Sequence, residues 1–174
     1  MAIRQILIEP NEFLRQKSLP VDVVNEETQR LMDDMLETMY AAPGIGLAAI
    51  QIGIPKRVIV LDLASKDQPK SPMFLINPEI ITKSENNTTY EEGCLSVPGQ
   101  FAEIDRPEKC IVKYLDYNGK LNEIEANGML ATCIQHEIDH LEGILFIDYL
   151  SKLKKTMIIK KLSKQKKVIE RIVV

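Results

Sequence analysis

The sequence predicts a single domain of mixed α and β content, on three observations. Three stretches place apolar residues at helical spacing, several β-branched runs lie between the first two, and the length suits one hydrophobic core. At 174 residues, 45% hydrophobic and 27% charged, the chain is near globular averages and has the apolar material for a substantial core. Residues 1–174 are therefore expected to form one unit, without internal repeats or long low-complexity segments.

The elements follow in order. Asn25 is a good N-cap, and Leu31, Met35 and Met39 recur at helical spacing until Pro43 and Gly44 stop the run, which predicts a core helix. GIGLAAIQIG (44–53) leads into RVIVLDL (57–63), whose β-branched run reads as a strand, and MFLIN (73–77) and EIITKS (79–84) read similarly. From Cys110 to Ala126 two alternating runs flank Asn118 and Gly119, residues suited to the positive φ angles of a tight turn, so an antiparallel hairpin is expected. Met129–Leu141 (MLATCIQHEIDHL) is helix-compatible through Leu130, Cys133, Ile134 and Leu141, and Gly143 can end it in a left-handed conformation. A last helix is expected after Ser151, with Leu153, Met157, Ile158 and Leu162 as its apolar stripe.

Composition excludes several classes. MAIRQILIEP contains no apolar run of signal-peptide length, and no stretch reaches the ~18 apolar residues of a membrane span. Cys94, Cys110 and Cys133 are too few, and odd in number, for a secreted disulfide framework. The expectation is a cytoplasmic protein with free thiols. Net charge is only −3, but residues 152–174 carry eight lysines and Arg171 against Glu170 alone, so the tail is basic and the body acidic.

The only two histidines both fall in HEIDH (136–140). Two randomly placed histidines would stand four apart in a chain this long roughly one time in a hundred. On a helix His136 and His140 share a face one turn apart and can converge on one ion, while Glu137 reaches a water beside it. The bland alternative is a buried helix with satisfied histidines and a surface glutamate. A catalytic site of this type needs a third protein ligand. Cys133 is excluded: it lies about 10 Å along the helix axis from His140. Cys110, among apolar neighbours in the expected hairpin, reads as core. Cys94 follows Gly93 in a turn-forming stretch, EEGCLSVPG, where the backbone can approach another element, and is the expected third ligand.

Three segments together resemble the peptide deformylase family: GIGLAAIQ (44–51), EGCLS (92–96) and QHEIDH (135–140), with FLRQKSLPV (13–21) similar to its N-terminal region. The resemblance covers nearly the whole chain. It implies an α+β fold, with the HExxH helix packed among antiparallel or mixed strands, and removal of the N-formyl group from the initiating methionine of new proteins. It also implies one Fe²⁺, replaceable by Zn²⁺, Ni²⁺ or Co²⁺, held by Cys94, His136 and His140. Glu137 would be the general base, with the Gln51 side-chain amide and the Leu95 backbone N–H as oxyanion donors. Ile45, Tyr90, Met129 and Cys133 are candidate walls of a methionine pocket, and Gly46 and Gly93 would let substrate backbone approach. Plain core packing is the alternative for the four pocket walls, and a helix stop and turn the alternative for Gly46. Glu92 and Arg106 would pair to steady the EGCLS loop. The partners implied are formylmethionyl nascent chains, with possible ribosomal RNA contact through the Lys-rich tail, and a monomer is expected. Two other readings compete: a zinc endopeptidase or aminopeptidase using the same HExxH chemistry, and a non-catalytic metal-binding or ribosome-associated module. Pure binding needs no general base, which disfavours the second.

Overall fold

The structure is a computed structural model that describes residues 2–172, with side chains to Val168. Three helices, α1 (Glu26–Ala41), α2 (Gly128–Leu141) and α3 (Lys152–Ile172), accompany seven strands. The strands are β1 (Gly46–Ala48), β2 (Val58–Leu61), β3 (Met73–Lys83), β4 (Asn87–Cys94), β5 (Val97–Pro107), β6 (Lys109–Leu115) and β7 (Leu121–Asn127). β1, β2, β3, β6 and β7 form an antiparallel sheet in that order, and β4 and β5 pair as a separate hairpin. This is the α+β arrangement expected. No described helix is long and apolar enough to cross a membrane.

The alternation along β2 explains the layering. Val58 and Val60 join Leu31, Met32, Met35 and Met39 of α1 in one cluster, whereas Ile59 and Leu61 join Ala131 and Ile134 of α2 in another. The sheet is thus buried on both faces, between two helices. Each fully buried Met, Leu or Ile here contributes roughly 1.5–3 kcal/mol. A third cluster joins the β4–β5 hairpin, through Val97 and Ile104, to Phe146 and Ile147 and to Leu162 of α3.

The α1 start is as read from the sequence: the Asn25 side chain accepts from the Thr28 N–H at 3.0 Å. Other elements correct the expectations. The two strands expected at 73–77 and 79–84 are one, β3, with a slip in pairing between Ile76 and Glu79 where Asn77 takes φ 50°. Asn77 is held there by two 2.8 Å bonds between its side-chain amide and the Val21 backbone. In the β6–β7 turn Gly119 alone takes positive φ, not Asn118. That turn is closed instead by the Asp116 carboxylate, which accepts from the backbone N–H of Asn118 and Lys120 at 3.0 and 2.9 Å. On α3 the inward residues are Ile158, Ile159 and Leu162, while Leu153 and Met157 are 72% and 62% exposed. The β4–β5 hairpin was not anticipated as strands at all.

Candidate metal centre

α2 carries both histidines on one turn, their ring centroids 5.0 Å apart, with His136 stacked on Phe146. The end of that turn is locked. The N–H of Ile144 bonds to Asp139 O at 2.9 Å and that of Gly143 to His140 O at 3.1 Å, the paired pattern of a Schellman cap. Gly143 takes φ 74°, and a Cβ there would run into the carbonyl of Arg15, so glycine is required on both counts.

Cys94 arrives from the hairpin. Pairing jumps from Gly93–Phe101 to Cys94–Val97, which breaks the β4 register and turns Cys94 toward α2. Its Sγ lies 3.3 Å from His140 Nε2. Two N–H groups also aim at the sulfur, from the Ser96 backbone at 3.4 Å and Gln51 Nε2 at 3.5 Å. Donor atoms of Cys94, His136 and His140 all lie within 4.8 Å of one another. Glu92 occupies His136 Nδ1 at 2.8 Å, which leaves the other ring nitrogen for coordination. One partly exposed sulfur and two buried imidazoles suit a single transition-metal ion with an open position. Cys133 is outside this cluster, and Cys110, on β6 of the sheet, is buried in the core.

Around the cluster the electrostatics are strongly shaped. Burial opposes a charge on Glu92, yet hydrogen bonds from His136 and Arg106 outweigh it and hold its carboxyl below the usual range. Burial likewise works against Arg106, but its bonds to Glu92 and the nearby Asp139 push its pKa up. The Glu92–Arg106 pair foreseen as a loop brace is therefore buried, with contacts of 2.5 and 3.0 Å, rather than solvated. Burial, with positive neighbours adding, holds the pKa of His140 well below its ordinary value and keeps the ring neutral. For His136 burial acts in the same sense, but bonds to Cys94 and Glu92 prevail and raise it.

Glu137 is buried, and burial pushes its pKa to about 7, with His136 opposing and the Glu92 charge adding to the rise. Its Oε2 has no protein hydrogen-bond partner. Gly46 makes room for it: a Cβ on Gly46 would fall on Glu137 Oε1. Gln51 is oriented by the Ala48 N–H, which donates to its Oε1 at 2.8 Å, so Nε2 is the end that faces Ser96 Oγ, at 3.0 Å, and the sulfur.

A cavity of about 440 Å³ opens beside these groups. Every residue expected to contact substrate lines it: Ile45, Gly46, Tyr90, Gly93, Met129 and Cys133, together with Gln51, Leu95 and Glu137. Burial, reinforced by the charges of Glu137 and Glu92, pushes the Cys133 thiol up to about 12, so it is an uncharged wall. Thr132 and Phe101 also line the cavity and were missed. Thr132 stands four residues before His136 on the same helix face, a usable signal. Phe101 covers Gly93 across the hairpin, which is invisible until the two strands are known to pair.

Two histidines and a buried carboxylate on one helix, with a cysteine from a separate hairpin beside them and an apolar cavity alongside, are the arrangement of a metal-dependent hydrolase. The family model for polypeptide deformylase matches residues 3–156, and the chain belongs to that family. It is 66% identical to the peptide deformylase of Pelagibacter ubique over 95% of this chain and 96% of that one. The crystal structure of the Ehrlichia chaffeensis peptide deformylase is 41% identical and superposes with a TM-score of 0.92, covering 96% of this chain and 98% of that one. A Met-Ala-Ser-bound peptide deformylase from Acinetobacter baumannii is 34% identical, TM-score 0.80, covering 86% and 99%. The activity is accordingly metal-dependent hydrolytic removal of the N-formyl group from newly made polypeptides.

Proposed function

We propose that Cys94, His136 and His140 hold one Fe²⁺, which Zn²⁺, Ni²⁺ or Co²⁺ can replace, and that Glu137 is the general base acting on N-terminal formylmethionine. The observation that carries this reading is the three-donor cluster, within 4.8 Å, with the unpartnered Glu137 carboxylate beside it on the cavity wall. An ion held by this donor set supplies Lewis acidity, which acidifies water and polarises the formyl carbonyl. Glu137 Oε2 takes a proton from the attacking water and returns it to the amide nitrogen as the C–N bond breaks, giving formate and a free amine. A carboxyl poised near pH 7 can both hold and release that proton. Gln51 Nε2 and the Leu95 N–H stabilise the negative oxygen that develops on the formyl carbon, each such donor typically supplying about 3 kcal/mol. For Gln51 this means yielding one of its present contacts, to Ser96 or to the sulfur.

The methionine side chain fits the cavity between Ile45, Tyr90, Met129 and Cys133, while Gly46 and Gly93 admit the peptide backbone. The Met-Ala-Ser found in the Acinetobacter enzyme supports a methionyl peptide as ligand. The test is to incubate anaerobically purified protein with formyl-Met and acetyl-Met peptides and follow formate and new amine. Formate from the formyl peptide alone is expected. Absence of formate from an iron-loaded sample, or cleavage of internal peptide bonds, would sink the reading.

The whole chain, 1–174, is proposed as one catalytic domain working as a monomer in the cytoplasm. Contact with ribosomal RNA through α3 belongs to the same reading, supported by the exposed Lys152, Lys154, Lys160, Lys161 and Lys164. Because Ile158, Ile159 and Leu162 pack on the core, charge reversal at Lys160, Lys161 and Lys164 tests it better than truncation. Ribosome association that is unchanged by the reversal, or insensitive to salt, would end it.

A further inference from the structure

Asp139 lies inside HEIDH but is not one of the clustered donors. Its Oδ2 accepts from Arg106 Nη1 at 2.8 Å and from the Tyr149 hydroxyl at 2.7 Å. Arg106 also sits over the Tyr149 ring, its Cζ 4.9 Å from the centroid. On its other side the same guanidinium holds both oxygens of Glu92, and Glu92 Oε2 meets His136 Nδ1. One buried cation is thus shared by two carboxylates, and only one of them touches a ligand. Glu137 also feels the charges of Arg106 and Asp139, whereas Asp148 pairs with Arg15 and Lys155 instead.

We propose that Asp139 and Tyr149 are positioning residues for the ligand His136, acting through Arg106 and Glu92. The physical argument is one of division. A guanidinium drawn toward Asp139 neutralises Glu92 less completely, so Glu92 remains a strong acceptor for the His136 N–H. That hydrogen bond fixes which ring nitrogen faces the ion and raises the electron density it offers. Tyr149 holds Asp139 in place by its hydroxyl and caps Arg106 by its ring, which also excludes water from the pair. Loss of a direct partner of a ligating histidine typically lowers metal affinity about 10–100-fold, and these residues lie further out, so smaller factors are expected. The inference rests on Cys94, His136 and His140 being the ligands.

The experiment uses the full chain loaded with Co²⁺, whose thiolate charge-transfer band reports Cys94 coordination, and measures the rate of metal loss to a chelator. Asp139→Asn should release the ion about 3–10-fold faster and shift the band, and Tyr149→Phe about 2–3-fold faster, with KM for a formyl-Met peptide unchanged. Glu103→Gln, an equal loss of charge at an exposed site on β5, should release it at the wild-type rate. Release from Asp139→Asn at the wild-type rate, or accelerated equally by Glu103→Gln, would overturn the proposal. If Asp139→Asn does not fold, Tyr149→Phe decides alone, since it removes one hydroxyl from a half-exposed ring. A wild-type chain showing no thiolate band would instead overturn the ligand assignment itself.

Discussion

The two halves of the candidate metal centre are stabilised by different physics. α2 is held by apolar contact: Ala131, Ile134 and Leu141 are fully buried against the sheet, and the histidines are carried on a helix that this packing makes rigid. The β4–β5 hairpin supplies Cys94, Glu92, Gly93 and Arg106, and its inner face near the site is ionic, built on Glu92 and Arg106. Apolar packing tolerates small losses, whereas a buried ion pair tolerates removal of both partners better than of one. The chemistry sits where a rigid helix meets a charged brace, and each half is expected to fail in its own way.

The largest effect should come from the helix side without disturbing either half. Glu137→Ala should retain metal, by elemental analysis, and lose roughly 10²–10⁴-fold in formate release. Surviving turnover would remove the general-base role. Next, Arg106→Met strands the buried Glu92 charge and should cost about 3–5 kcal/mol in urea unfolding. A cost below 1 kcal/mol would mean that the hairpin does not depend on its ion pair. Gly46→Ala comes third: the added methyl displaces Glu137, and kcat should fall on the order of 10- to 100-fold with metal content preserved.

The smallest expected effect lies in the apolar body. Asp62, at the end of β2, accepts from the Tyr40 hydroxyl and from the N–H groups of Ala64 and Ser71. Burial opposes its charge, but these bonds prevail and hold its carboxyl below the ordinary range. Its contribution is therefore present above the unfolded pKa of about 3.9 and is lost as pH falls through the lower folded value. Asp62→Asn should cost about 1–2 kcal/mol at pH 7, and the gap from wild type should close below about pH 4. Its turnover should remain near wild type; a large loss would show that body and site are not separable.

The same contrast decides what could be read in advance. α1 was legible because Asn25 and the Leu31–Met35–Met39 spacing are local signals, and the HEIDH turn because both histidines lie in it. The hairpin was opaque because its inward positions include Glu92 and Arg106, which remove the apolar alternation that marks a half-buried strand. Cys94 was singled out because the site needs a donor from outside the helix, and the structure brings it close to the histidines. On α3, periodicity located apolar residues but could not say which would meet the core, so Leu153 and Met157 were placed inward and lie outside. Phe101 depends on cross-strand pairing, a long-range fact with no local trace.

The proposed ligands Cys94 and His140 stand 46 residues apart on elements that meet only through tertiary packing. An unfolded chain has to close that loop before it can present sulfur and imidazoles together, so its affinity for metal is far below that of the native state. With these ligands, acquisition would be deferred until the hairpin has docked on α2, and the ion would report completed folding. An ion held there would also clamp the two halves together, and the melting temperature should rise with the free metal concentration by simple mass action.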